Sequence, residues 1–209
     1  MLIKFDDIVR KYGKPIGVIH IGAHLMEERN DYIINSLYNT IWIEANTNIY
    51  NQIKIVESQP TNELVFNFAI SDVDNKIYEF NITNNGQSSS ILELDKHLIH
   101  HPTIYVSETM KVESKRMDTL IKENNIYINN YDFLNIDIQG AELLALKGFG
   151  DLLYNIKYIY TEINKNYLYK DCALVDEIDE YLIKYGFTRV ETVMTECEWG
   201  DALYIKTNL

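Results

Sequence analysis

Apolar and polar residues change period several times along this chain, and each change marks an element. Ile3, Phe5, Ile8 and Val9 recur at near-helical spacing, which predicts a helix over 3–12 that Gly13 can end. Val18-Ile19-His20-Ile21 is instead a continuous run closed by Gly22, the pattern of a core strand over 17–22. A helical period returns over 27–38, with Tyr32, Ile33 and Leu37 on one face. Strand-like runs follow at 41–44 and 63–70. Between them a helix is expected over 49–58, capped by Asn46 or Thr47 and closed by Pro60. Residues 76–83 and 105–116 alternate with period two. The stretch between these two, from Asn84 to Ser90, is polar and without period, and 91–102 fits no template. A short helix is predicted over 117–124. The runs 131–138 and 156–163 are nearly all apolar, as strands buried on both faces are. Gly140 precedes a helix over 141–147, with Gly148 read as its stop, and another helix covers 174–185 before Gly186. Two closing strands, 187–193 and 199–206, are expected to be antiparallel.

Strands alternating with helices predict an α/β fold with a mostly parallel sheet covered by helices on both faces. No repeat or linker interrupts the pattern, so residues 1–209 read as one domain. In such sheets ligands sit at the carboxyl ends of the strands, near the switch in strand order. The residues ending the strands therefore share one rim: Gly22-Ala23-His24, Glu44, Ser71-Asp72, Asp137-Ile138-Gln139 and Glu162-Ile163-Asn164. A strand, a glycine turn and a helix, with an acid about 20 residues further on, is the arrangement that binds a nucleotide-like ligand through its ribose hydroxyls. Glu44 is that acid.

Composition narrows the ligand. The net charge is -12 and the pI about 4.8, which argues against nucleic acid or an anionic membrane as partner and suits a cationic ligand. No apolar run reaches membrane-spanning length, and residues 1–13 are amphipathic, with Asp6, Asp7, Arg10 and Lys11, unlike a signal peptide. Cys172 and Cys197 form no metal motif, so a reduced, cytoplasmic setting is expected. His97, His100 and His101 have the spacing of a helix face, yet nothing nearby completes a metal site, and no metal is expected.

Several stretches together resemble the FkbM family of S-adenosylmethionine-dependent methyltransferases. They are His20-Ile21-Gly22-Ala23-His24, Trp42-Ile43-Glu44-Ala45-Asn46, Asn67 to Asp72, Ser88-Ser89-Ser90, Leu134 to Glu142 continuing to Gly148, and Gly200 to Tyr204. The resemblance implies a Rossmann-like class I methyltransferase fold, a seven-stranded sheet with one reversed strand, and O-methylation of sugars or natural products. It implies S-adenosylmethionine as methyl donor and S-adenosylhomocysteine as product. Gly22, Ala23 and His24 would then pass beneath the methionine portion, Glu44 would take the ribose hydroxyls with Ala45 also in the cofactor site, and Asn67 to Asp72, with Ala69 and Ser71, would border the adenine. Two departures stand out. His20 replaces an acid found in many relatives, and Gln139 replaces a glutamate.

A carboxylate ending an apolar strand is costly unless it is paired or meets a ligand. Asp137 and Glu162 are therefore the candidate bases, with Asp137 also near the cofactor; a helix-capping role is the alternative for Asp137. Ser88, Ser89, Ser90, Gln139, Glu142 and Asn164 are candidate acceptor contacts, though Glu142 equally suits a first-turn helix acid. Trp199 and Tyr204 read as core. Residues 76–116 are long for a connection and are assigned to substrate recognition. The expected activity is S-adenosylmethionine-dependent methylation of a hydroxyl on a sugar or glycan, in glycan or natural-product biosynthesis. The alternatives are a Mg²⁺-assisted enzyme using Asp137, Glu162 and Asn164, an amino-sugar N-methyltransferase, and a nucleotide-binding or scaffold module without catalysis.

Overall fold

The computed structural model describes residues 1–53 and 62–207. Its helices are α1 (Phe5–Tyr12), α2 (Arg29–Ile34), α3 (Thr47–Tyr50), α4 (His97–His100), α5 (Met117–Glu123), α6 (Glu142–Phe149) and α7 (Val175–Leu182). Its strands are β1 (Val18–Ile21), β2 (Asn39–Ile43), β3 (Asn62–Phe66), β4 (Ala69–Ile70), β5 (Ile77–Thr83), β6 (Val106–Lys115), β7 (Phe133–Ile136), β8 (Tyr158–Asn164), β9 (Phe187–Met194) and β10 (Trp199–Lys206).

Seven strands form one sheet in the order β3-β2-β1-β7-β8-β10-β9. Only β10 runs against its neighbours, pairing antiparallel with both β8 and β9. This is the Rossmann-like methyltransferase arrangement, and the order reverses direction at β1. Every residue of β1, β7 and β8 is buried, because helices cover both faces. On one face Phe5 and Ile8 of α1 and Tyr32 of α2 pack against Val18, Trp42 and Phe133, with Phe5 edge-on to Phe133 at 5.2 Å. On the other, α5, α6 and α7 bury Leu120, Leu146, Phe149, Ile178 and Leu182 over Ile19, Ile41, Leu134 and Ile159. Helix α1 is oriented by acids in its first turn, Asp6 and Asp7, and bases in its last, Arg10 and Lys11.

The run 63–70 is two strands. β3 ends at Phe66 in the main sheet, and after Asn67 and Phe68 the chain enters a second sheet as β4. That sheet has the order β4-β6-β5, with β5 and β6 antiparallel. The apolar pattern of 63–70 reports burial and does not say in which sheet. The helix expected over 27–38 is shorter, because His24 and Met26 take positive φ and hold the chain in a turn up to Arg29. Of the helix expected over 49–58, α3 is observed at Thr47–Tyr50, with Asn46 as its cap, and residues 54–58 lie outside the described residues.

Gly148 does not stop its helix. It lies inside α6, and Gly150 forms the C-cap with φ of 51°. A Cβ on Gly148 would stand 2.2 Å from the backbone oxygen of Ser71, so the second sheet approaches α6 where only glycine fits. Both partners are backbone and neither can swing away. Gly148→Ala is therefore expected to lower Tm by about 3–10 °C, the effect of an overpacking strain in a chain of this size, as read by thermal unfolding.

Candidate active site

The carboxyl ends of β1, β2, β7 and β8 open into a cavity of about 590 Å³, a volume suited to a cofactor and a small acceptor. Gly22 ends β1 with φ of 86°, and a Cβ there would lie 1.8 Å from the Asp137 carbonyl oxygen. Glycine thus lets the β1 and β7 exits run side by side. Glu44 ends β2 and is buried. Its Oε2 accepts from the His24 N–H at 2.8 Å and its Oε1 from the Asn46 N–H at 2.7 Å, while burial pushes its pKa up. Asn67 fixes this corner by donating to the Glu44 and Ala45 carbonyls at 2.7 and 3.0 Å. Ala45, Ile49, Phe68, Ala69 and Ile70 add an apolar wall beside it.

Asp137 and Glu162 stand level. The pairing Ile136↔Thr161 makes them neighbours across β7 and β8, and Glu162↔Asp201 extends the row to β10. Three carboxyls therefore lie side by side on one sheet face. Gln139, held at φ of 57°, donates from Nε2 to Asp137 Oδ1 at 2.8 Å and to Glu162 Oε2 at 2.7 Å. The Tyr169 hydroxyl donates to Gln139 Oε1 at 2.6 Å, which keeps the amide NH₂ turned to the acids. Asp137 is reachable from solvent through the cavity, yet the enclosing walls desolvate it and, with Asp201 close, push its pKa up. Glu162 is pushed well above the usual carboxylate range by burial and then by Asp137 and Glu142. One layer below, His20 is buried, stacked on Trp42 at 5.0 Å and within 3.1 Å of the Tyr32 hydroxyl. Burial lowers its pKa to about 4, so it is uncharged at neutral pH.

The cavity gathers Gly22, His24, Glu44, Ala45, Ala69, Ser88, Ser89, Asp137, Gln139 and Glu162 from the sequence reading. Five expected residues lie behind its wall. Ala23 faces the core with Met26 and Tyr32. Ser71 is fully buried and bonds Asp72 and Tyr78. Ser90 donates to the Gln139 carbonyl at 2.8 Å and so braces the turn. Glu142 accepts from the Ile138 and Gly140 N–H groups, both at 3.1 Å; it clamps the turn, and burial raises its pKa to about 7. Asn164 is fully buried, its side-chain atoms without a partner among the described residues, and it is not part of the cavity lining.

Sequence reasoning missed Asp201, Tyr160 and a wall made of His97, His101, Leu168, Tyr169 and Trp199. The Tyr160 hydroxyl donates to Asp201. Asp201 and Trp199 lie at the start of β10, which reaches the same rim because that strand is reversed. Trp199 is thus a cavity residue, while Tyr204 is core as expected.

The model of the FkbM methyltransferase domain matches residues 20–189. The 2-O-methyltransferase NoeI of Sinorhizobium fredii is 28% identical over 157 residues, which are 69% of this chain and 60% of that protein. A solved structure from Haemophilus influenzae, the methylase candidate HI0767, aligns over 98% of this chain and 86% of its own at 11% identity and a TM-score of 0.49. Since the domain model takes in the end of β1 and its glycine turn, Glu44, the Gln139 bridge and β8 together, the chain belongs to the FkbM methyltransferase family.

Proposed function

We propose that this chain transfers a methyl group from S-adenosylmethionine to a hydroxyl of a small molecule, a sugar. The observation that carries the reading is the pair Asp137 and Glu162, joined by Gln139, in one cavity with the buried Glu44 corner. The donor set fits the cofactor. Glu44 keeps lone pairs for two ribose hydroxyls, Phe68, Ala69 and Ile49 suit a flat base, and the acid row suits a cation. When bound, the cofactor supplies an electrophilic methyl on a positively charged sulfur. Asp137, the more accessible acid, takes the acceptor's hydroxyl proton. Glu162 and Gln139 hold that carboxyl in place, and Ser88 and Ser89 contact the acceptor. Residues 76–116 form the recognition segment. The name of the NoeI relative, an O-methyltransferase, agrees with this reading. No helix of the described residues is long and apolar enough to cross a membrane. A small-molecule or glycan acceptor met in the cytoplasm belongs to the proposed reading.

Calorimetry with S-adenosylhomocysteine and turnover with a sugar panel, read as the mass of one added methyl, test the reading. Binding of the homocysteine product and a mass gain on at least one sugar are expected. Tighter binding of NAD than of S-adenosylhomocysteine overturns it.

A further inference from the structure

We propose that the acceptor reaches this cavity as an unphosphorylated sugar or polyol, and that sugar phosphates and nucleoside diphosphate sugars are rejected. The inference rests on the methyl-transfer reading and names its substrate class. Among the described residues the cavity is lined by Glu27, Glu28, Glu44, Asp137, Glu162 and Asp201 and by no lysine or arginine, and the Met1 ammonium on the same wall is held by Glu28 at 3.5 Å. A phosphate needs cationic forks or unoccupied backbone N–H groups to replace its water.

At the turns after β1 and β7 most backbone N–H groups are already taken. After β1, the Gly22 and Ala23 N–H groups donate to the Ile43 carbonyl, that of His24 to Glu44, that of Leu25 to Glu27 Oε2 at 3.1 Å, and that of Met26 to the Ala23 carbonyl. After β7, the Asp137 N–H donates to the Ile21 carbonyl and those of Ile138 and Gly140 to Glu142. The protein's own carboxylates thus fill the anion positions of both turns. Arg29, the nearest arginine in sequence to the first turn, is committed to Glu63 by bonds of 2.9 and 2.7 Å.

What the cavity does offer suits a ring of hydroxyls. Carboxylates accept from hydroxyl donors, and the opposite wall is aromatic. The His97 and His101 rings lie 4.8 Å apart, and His97 lies 5.5 Å from Tyr169. His97 is buried, and its Nδ1 has no hydrogen-bond partner among the described residues. Burial lowers its pKa to about 4, so it adds a neutral polar face and no cation.

The test compares one sugar ring in three forms: methyl glycoside, 1-phosphate and uridine diphosphate conjugate. At low ionic strength the two anionic forms are expected to show kcat/KM lower by about tenfold or more, a deficit that shrinks as salt screens the acids. Equal or better use of either anionic form overturns the proposal. Uridine diphosphate is also titrated into protein saturated with S-adenosylhomocysteine. Silence to about 1 mM is expected, and micromolar binding overturns the proposal whether or not any acceptor turns over. Failure of S-adenosylhomocysteine to bind, or of every acceptor to gain a methyl, counts instead against methyl transfer itself.

Discussion

Replacing Asp137 with asparagine is expected to lower turnover by about 10²–10⁴-fold while S-adenosylhomocysteine affinity stays within about threefold. Asparagine keeps the shape and an acceptor for Gln139 but cannot take a proton as a carboxylate does. The pH profile carries the same information. Desolvation raises the Asp137 pKa, and a base works only when ionised, so the wild-type rate should climb with pH through that raised value. The Asp137→Asn profile should lose this acidic limb. Stability should move the other way from activity. In the folded chain ionisation of Asp137 is opposed, so above its pKa the charge costs stability, and its removal should leave Tm unchanged or higher. Glu162→Gln should cost less turnover, because Glu162 is buried behind Asp137. Normal turnover in Asp137→Asn with a dead Glu162→Gln reverses the two roles.

Glu44→Gln should weaken S-adenosylhomocysteine binding by about tenfold or more, since a charged acceptor bonded to ribose hydroxyls contributes roughly 1.5–3 kcal/mol per bond. Glutamine is a cleaner probe than alanine. Glu44 also satisfies the His24 and Asn46 amides, and alanine would leave both buried donors without their acceptor. Calorimetry on the apo protein reads the affinity, and a Tm within a few degrees of wild type, at about 1 kcal/mol for one altered bond, shows that the turn survives. Unchanged affinity assigns Glu44 to the turn alone.

The parallel strands could be read from sequence because burial on both faces leaves near-continuous apolar runs. Their carboxyl ends then marked Gly22, Glu44, Asp137 and Glu162. The same rule failed at β10. A reversed strand presents its beginning to the rim, so Asp201 was given no role and Trp199 was read as core, although Asp201 is also an acid in an apolar strand. Gly148 misled for another reason. A glycine near a helix end looks local, but the constraint on it comes from Ser71, far away in the chain. The three loop serines are alike in sequence and diverge in space. Ser88 and Ser89 line the cavity, and Ser90 turns to the Gln139 carbonyl, because an irregular segment has no period from which direction can be inferred.

The pairing of Thr83 with Val106 closes the β5–β6 ladder where residues 84–105 leave and return. An excursion whose two ends are already clasped adds little closure entropy when it grows or shrinks. It is tied to the main fold by the bridge from Leu94 to Tyr169, by the Asp95, Lys96 and His97 N–H groups bonded to the Leu168 and Tyr167 carbonyls, by the Lys170 N–H bonded to the Glu93 carbonyl, and by Ser90 on the Gln139 carbonyl. A change of length away from these ties is therefore expected to leave the register of the seven strands beneath in place.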